Sequence, residues 1–167
     1  MQNIRTHGVE PTPKIELDDM DRRILVLLQS DNLILAERLG EKIGLSASSV
    51  QRRVKRLRRA KVIIDDVSVV DPKAMGQSAM FIVEVSLERE SAEMIQEFKR
   101  RMLAAPEVQQ CYYVTGDADF VLMVTARDIT DYENIISRLF LEERNIRKFK
   151  TGVVLNRVKA TLAVPVE

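Results

Sequence analysis

The sequence has no tryptophan, one cysteine (Cys111) and one histidine (His7) among 167 residues. A lone cysteine cannot close an internal disulfide, which fits a reducing, cytoplasmic setting. One cysteine and one histidine cannot build a structural zinc site, and neither a metal nor a cofactor is expected. Aromatic residues supply only 5% of the chain, and its strands lack the basic-aromatic pattern on which RNA-binding sheets stack bases. No apolar run approaches the ~18 residues of a membrane span, and the first 16 residues contain no apolar signal-peptide core. Neither insertion in a membrane nor export is expected. What is present is an ordinary folding composition, 46% apolar and 31% charged, in a length that allows one compact domain or two small ones and excludes a large multidomain enzyme.

The formal charge is +1, from 26 Lys and Arg against 25 Asp and Glu, but it is unevenly spread. Residues 46–61 carry seven cations (Arg52, Arg53, Lys55, Arg56, Arg58, Arg59 and Lys61) and no acid, so the rest of the chain sums to −6. Solvated helix faces usually alternate Glu with Lys for (i, i+4) support, and this one has no Glu.

Residues 1–17, with Pro11 and Pro13, read as a flexible head in which His7 is incidental. From Asp18 the spacing turns helical. Met20, Ile24, Leu27 and Leu28 share a face, and Asp18, Asp19 and Asp21 place acid at the positive helix start. A second helix is predicted over 36–43, stopped by Gly44 in a left-handed conformation. Ser46 then caps a third helix over 47–60, although Ser49 is a weak substitute for the Glu or Gln of a capping box. Val50, Val54 and Leu57 form its buried stripe, with Ser48, Arg52, Lys55, Arg56 and Arg59 opposite and Ser49 and Gln51 on the flanks. A short helix, a Gly-Leu-Ser turn and a helix apolar inside and basic outside make a helix-turn-helix of the winged-helix type, spanning 18–64.

Residues 65–76 read as a linker strand and hinge, with the β pattern running from Val62 to Val70 and punctuation at Pro72 and Gly76. The remainder, 77–167, reads strand (79–87), helix (91–105), strand (108–115), strand (119–126), helix (131–143), strand (146–158). That βαββαβ order is the ferredoxin-like unit, which makes the chain α+β. Two helices cover one face of such a sheet. The other face should be polar in a monomer, yet Met80, Ile82, Val121 and Met123 alternate with the equally apolar Phe81, Val83, Phe120, Leu122 and Val124. A second copy is expected to cover it, making a homodimer. The alternative cover is a linker or tail segment of the same chain, such as residues 161–166.

With these residues in view, the chain resembles the Lrp/AsnC (leucine-responsive, feast/famine) transcription regulators from Leu17 to its end. The first anchor is Leu17-Asp18-Asp19-Met20-Asp21-Arg22-Arg23-Ile24-Leu25, similar to LDxxDxxIL. Next come Gly44-Leu45-Ser46 with Ser48, Ser49, Val50, Arg52, Arg53, Leu57 and Val62-Ile63. The third is Thr115-Gly116-Asp117-Ala118-Asp119, like a TGDxD loop, followed by Thr151 and Val154-Leu155. The resemblance implies a DNA-binding regulator whose C-terminal domain dimerises, often assembles further, and senses a small effector, commonly an amino acid. It also implies an effector site at Thr115, Gly116, Asp117, Ala118, Asp119 and Thr151. Gly116 would let backbone approach a small ligand, and Asp117 or Asp119 would pair an α-ammonium. Gly-Asp between two strands is equally ordinary hairpin chemistry. The chain departs from the family pattern at Leu35, where Ser usually caps, at Ala47 for Pro and at Lys61 for Gly. Arg144-Asn145-Ile146 replaces Pro-Gly-Val, and Phe149 takes an often polar position, where its ring is expected to fill the effector pocket.

The expected interface is double-stranded DNA in the major groove, read by Ser48, Ser49, Gln51 and Arg52 below the Ser46 cap. Arg53, Lys55, Arg56 and Arg59 are expected at phosphates, on two half-sites about one helical turn apart. The rival from another class, a small ferredoxin-like enzyme using Asp117 and Asp119 as paired carboxylates with a divalent metal, finds no histidine in the C-terminal domain and no base near Cys111. The chain is read as a regulator and not an enzyme.

Overall fold

The computed structural model describes residues 15–141 and 143–167; all of the predicted head before residue 15, with His7, lies outside them. The chain divides into two compact units, and each is taken by itself. Among the described residues no helix is long and apolar enough to cross a membrane.

The first unit holds residues 15–68 together with Lys159–Glu167. Its helices are α1 (Asp19–Ser30), α2 (Ala36–Ile43) and α3 (Ala47–Arg59). Asp18 begins α1 with a capping box: its carboxylate accepts from the Asp21 N–H at 2.8 Å, and the Asp21 carboxylate accepts from the Asp18 N–H at 3.1 Å. Two orphan helix donors are thereby satisfied. Leu35 caps α2 with no side-chain bond, as its departure from Ser implies, and Gly44 ends that helix at φ 76°. Ile24, Leu39, Ile43, Val50, Val54 and Leu57 form the core, each stabilising the unit by roughly 1.5–3 kcal/mol on burial.

Helix α3 ends where a left-handed residue is needed, and the sequence offers Lys61 there at φ 57°. The Val62 N–H reaches the Leu57 carbonyl at 3.0 Å and the Lys61 N–H the Arg58 carbonyl at 3.1 Å, the paired bonds of a Schellman ending, and Val62 packs on the core that holds Leu57. A side chain in this conformation costs about 1–2 kcal/mol. Lys61→Gly is therefore expected to stabilise this unit by about 1 kcal/mol, after the extra chain entropy glycine loses, read as a higher urea midpoint at unchanged slope.

The strand pattern of residues 62–70 forms no strand here. Val67, Val69 and Val70 stay exposed, and the linker contains instead a 3-10 turn, Pro72–Met75. Propensity alone does not make a strand. The tail corrects a second expectation. The last strand closes at residue 153, not 158, and Lys159–Glu167 belongs to the helical unit. There the Gln29 side chain bonds Val164 twice, donating to its carbonyl at 3.0 Å and accepting its N–H at 2.7 Å, and Val166 packs on the helical core.

The second unit, Val69–Val158, is a four-stranded antiparallel sheet with two helices. In chain order come β1 (Ala79–Leu87), α4 (Ala92–Ala104), β2 (Val108–Tyr113), β3 (Phe120–Ala126), α5 (Ile129–Ile136) and β4 (Ile146–Val153). The sheet order is β2-β3-β1-β4, as the ferredoxin-like reading requires. A π-helical turn, Ser137–Leu141, prolongs α5 and keeps Leu139 and Phe140 buried. All five phenylalanines lie here. Phe98 packs on Phe120 at 4.4 Å between ring centroids, and Phe140 on Phe149 at 5.3 Å. Phe149 is thus held by core contacts. Cys111 is also packed on this core, where burial pushes its thiol up to about 11 and leaves it an inert small hydrophobe at neutral pH.

The helix-covered face carries Phe81, Val83, Val85, Phe120, Leu122 and Val124, all buried. In register with one another on the opposite face are Ile82 and Met123, Met80 and Thr125, and Glu84 and Val121. Ile82 is 39% exposed at the centre of this face.

Candidate nucleic-acid interface and effector loop

Helix α3 is seated by Val50, Val54 and Leu57, with Ser48, Gln51, Arg52, Lys55 and Arg59 exposed on the opposite side. Ser46 caps it, accepting from the Ser49 N–H at 3.3 Å. The same hydroxyl lies 3.2 Å from the Ser48 Oγ and donates to the Ser49 Oγ at 3.0 Å. The three serines therefore form one small hydroxyl cluster at the helix start.

The basic face is not uniform. Arg53 and Arg56, both expected at phosphates, are turned onto helix α1. Arg53 Nη1 donates to Asp18 at 2.6 Å and to Asp21 at 2.9 Å, while Arg56 Nη2 donates to the second oxygen of Asp21. The Asp21 side chain has no exposed surface, so two guanidinium groups and the Asp18 N–H share a fully buried carboxylate. The Asp18 carboxyl is held below its ordinary value, first by the Asp21 N–H and then by Arg53. Arg58 is also occupied, donating to Asp66 in the linker at 2.9 Å. Arg52, Lys55 and Arg59 have no ion pair among the described residues, and they project into solvent with Gln51.

Sequence reasoning missed these acids as partners of Arg53 and Arg56, although they lie within the opening motif itself. Along the chain Asp18 and Asp21 are legible only as helix-start acids, because their second role depends on how α1 crosses α3. Gly40 was missed as well. It is buried in α2, and a Cβ there would stand 2.3 Å from the Leu45 carbonyl oxygen. The Gly40 carbonyl accepts from both Gly44 N–H (2.8 Å) and Leu45 N–H (3.0 Å), which clamps the turn against the helix.

In the sheet unit the loop over 114–119 joins β2 to β3. Gly116 stands at φ 130°, a conformation L residues rarely adopt, with open space where a Cβ would be. Its two carboxylates differ in role. Asp119 is committed: its Oδ2 accepts the Leu87 N–H at 2.7 Å, beside the register shift after Ser86, and its N–H reaches the Val85 carbonyl at 2.9 Å. The Asp117 carboxylate is exposed and has no partner among the described residues; only its backbone carbonyl is engaged, by the Ser86 hydroxyl at 3.2 Å. Thr115 is exposed and Ala118 half-buried. Thr151 pairs with Val83 across β1, and its hydroxyl meets the Tyr132 hydroxyl at 2.5 Å. Strand β1 thus runs between Thr151 and the strand that leaves the loop. Tyr132, stacked on Phe81 at 3.8 Å, is a further polar group beside Thr151 that sequence reading left out. No cluster of three or more potential metal ligands occurs among the described residues.

Two family models match the chain in succession. Residues 17–58 match the AsnC-type helix-turn-helix domain and residues 80–164 the Lrp/AsnC ligand binding domain. A helix-turn-helix-type transcriptional regulator of Sinorhizobium fredii is 50% identical over 92% of this chain and 90% of its own. The leucine-responsive regulatory protein of Escherichia coli is 30% identical over 88% of this chain and 90% of its own. Among solved structures, an AsnC family regulator from Agrobacterium tumefaciens has a TM-score of 0.84 at 28% identity, covering 89% of this chain and 97% of that one. A Neisseria meningitidis transcriptional regulator in complex with L-Met also gives 0.84, at 25% identity over 90% of this chain and 97% of that one. With both domains matched in order and a relative at half identity over nearly its whole length, this chain belongs to the Lrp/AsnC family of DNA-binding transcriptional regulators.

Proposed function

We propose that this regulator works in the cytoplasm as a homodimer, or an assembly of dimers, that reads a two-fold operator with helix α3. The supporting observation is the sorting of cations on that helix: among the described residues Arg52, Lys55 and Arg59 have no ion pair, while Arg53, Arg56 and Arg58 are tied to acids of the same chain. Ser48, Ser49, Gln51 and Arg52 meet base edges, and Lys55 and Arg59 meet phosphates. Two phosphates per helix and two helices per dimer give a slope of log K against log salt of about −4. Arg52→Ala is expected to weaken binding by about 1–3 kcal/mol and to relax selectivity at one base pair. Loss that is equal on all sequences would reassign Arg52 to phosphate. The reading as a whole is tested by recovering genomic duplexes on the purified protein, with and without a panel of amino acids. Recovery of no fragment even in dilute buffer would overturn it.

The dimer forms through the uncovered sheet face around Ile82, Met80 and Met123. Its support is the apolar set Met80, Ile82, Val121 and Met123 on the face opposite the helices, with Ile82 exposed at its centre. Light scattering at micromolar concentration should give at least twice the chain mass, and a monomer would sink the proposal.

The effector is a small molecule with an ammonium group, an amino acid first among them, bound at the Gly116-Asp117 turn. The L-Met complex of the Neisseria relative makes methionine the first ligand to try. Because Asp119 is spent on the Leu87 N–H, Asp117 is the carboxylate available for the ammonium. Asp117→Ala should abolish the ligand response at unchanged melting temperature, whereas Asp119→Ala should lower the melting temperature. A tenfold ligand effect on DNA affinity needs only about 1.4 kcal/mol of differential binding. An unaltered ligand response in Asp117→Ala would remove the loop from the effector site.

A further inference from the structure

The chain contains two acid-free windows of 23 residues. Residues 42–64, with eight cations, include the recognition helix; residues 144–166 carry six more, Arg144, Arg147, Lys148, Lys150, Arg157 and Lys159. The remaining 121 residues hold 12 cations against 25 acids, so the near-neutral total hides a second cationic segment. Its densest part, Arg147, Lys148 and Lys150, lies on β4, which is an edge strand of the sheet. All three side chains are exposed, and none has an ion pair among the described residues, although Arg101, Arg127 and Arg138 of the same unit each have one. Even Glu84, directly opposite Lys150 in the β1–β4 register, makes no ion pair with it. Lys148 and Lys150 alternate with Arg147 along the strand, so the edge offers cations on both sides of the sheet plane.

Three unpaired like charges within four residues repel one another and hold counterions. A linear polyanion that displaces those counterions is the complementary partner. The protein already binds such a polyanion through α3, and the chain that leaves β4 passes Arg157 and Lys159 before docking on the helical unit at Gln29. We infer that the β4 edge is a second contact for duplex DNA, engaging the phosphate backbone outside the segment read by the recognition helices. It reads no base, and it adds affinity and salt dependence only when flanking duplex is present. This inference rests on the DNA-binding reading above.

The test uses the full-length protein and two duplexes: a core of about two half-sites selected from a random pool, and the same core with random flanks of about two helical turns on each side. Binding is followed by fluorescence anisotropy over a range of KCl. The triple variant Arg147→Gln, Lys148→Gln, Lys150→Gln should match wild type on the core. On the flanked duplex it should bind about tenfold more weakly, with a salt slope shallower by about 0.9 for each phosphate left unneutralised. The charge-keeping variant Arg147→Lys, Lys148→Arg, Lys150→Arg should retain the flank effect. Equal weakening on both duplexes, weakening on neither, or a change in mass by light scattering would overturn the inference, the last by assigning these cations to the interface between subunits. So would stronger competition by poly-glutamate than by random duplex of equal charge. Failure of the wild type to bind even the selected core would instead overturn the DNA-binding reading.

Discussion

Asp21→Ala should destabilise the helical unit by about 3 kcal/mol, a large share of the roughly 5–15 kcal/mol by which a whole domain is stable. The carboxylate is fully buried and serves three donors: Arg53, Arg56 and the Asp18 N–H. Removing one member of a buried ionic cluster commonly costs about 3–5 kcal/mol. The lower end applies because Arg53 and Arg56 retain 24% and 45% of their side-chain exposure and can turn to water. Urea unfolding followed by circular dichroism reads the effect, and a loss below about 1 kcal/mol would place the cluster with ordinary surface pairs. The same geometry separates two kinds of cation. Arg53→Gln should lower stability and leave the salt slope of DNA binding unchanged, whereas Lys55→Gln should leave stability unchanged and make the slope shallower. Acid should weaken the same cluster through Asp18. The folded Asp18 carboxyl titrates below its ordinary 3.8, so its contribution is present above that pH and is lost as pH falls through the lower folded value. Asp18→Asn should flatten this acid limb.

Gly40→Ala is expected to weaken DNA binding more than tenfold, against what helix propensity alone would suggest. Alanine in a helix interior is about 1 kcal/mol better than glycine. Here the new Cβ would meet the Leu45 carbonyl oxygen at 2.3 Å, and that oxygen belongs to backbone. The turn cannot retreat, because the Gly44 and Leu45 N–H groups both bond the Gly40 carbonyl. Overpacking of this kind costs about 1–3 kcal/mol and is relieved only by moving α3 relative to α2. The readouts are the melting temperature, expected to fall, and affinity for a selected duplex, expected to drop more than tenfold. Gly44→Ala makes the contrast. Its Cβ would meet nothing within 4 Å, and the φ of 76° alone should cost about 1 kcal/mol. A Gly40→Ala protein that melts higher and still binds would show that the turn has slack.

Periodicity in the sequence was enough to place the elements that decide the class of this protein. The three N-terminal helices, the Ser46 cap, the Gly44 stop and the βαββαβ order all follow from apolar spacing and turn residues, which act within a few positions along the chain. The concentration of cations on α3 and the doubly apolar strands were legible in the same way, because charge and hydropathy are carried by each residue wherever it lies. Partnership is another matter. Arg53 reaches Asp18 across 35 positions, Gln29 reaches Val164 across 135, and Asp119 reaches Leu87 across 32. No local pattern encodes those distances. Which cations remain free for DNA, which carboxylate remains free for a ligand, and where the tail belongs were therefore decided only when the helices crossed and the strands paired. Those pairings depend on the crossing angle of α1 with α3 and on the register of β1 with its neighbours, and both are set by the packing of whole faces, not by any single residue.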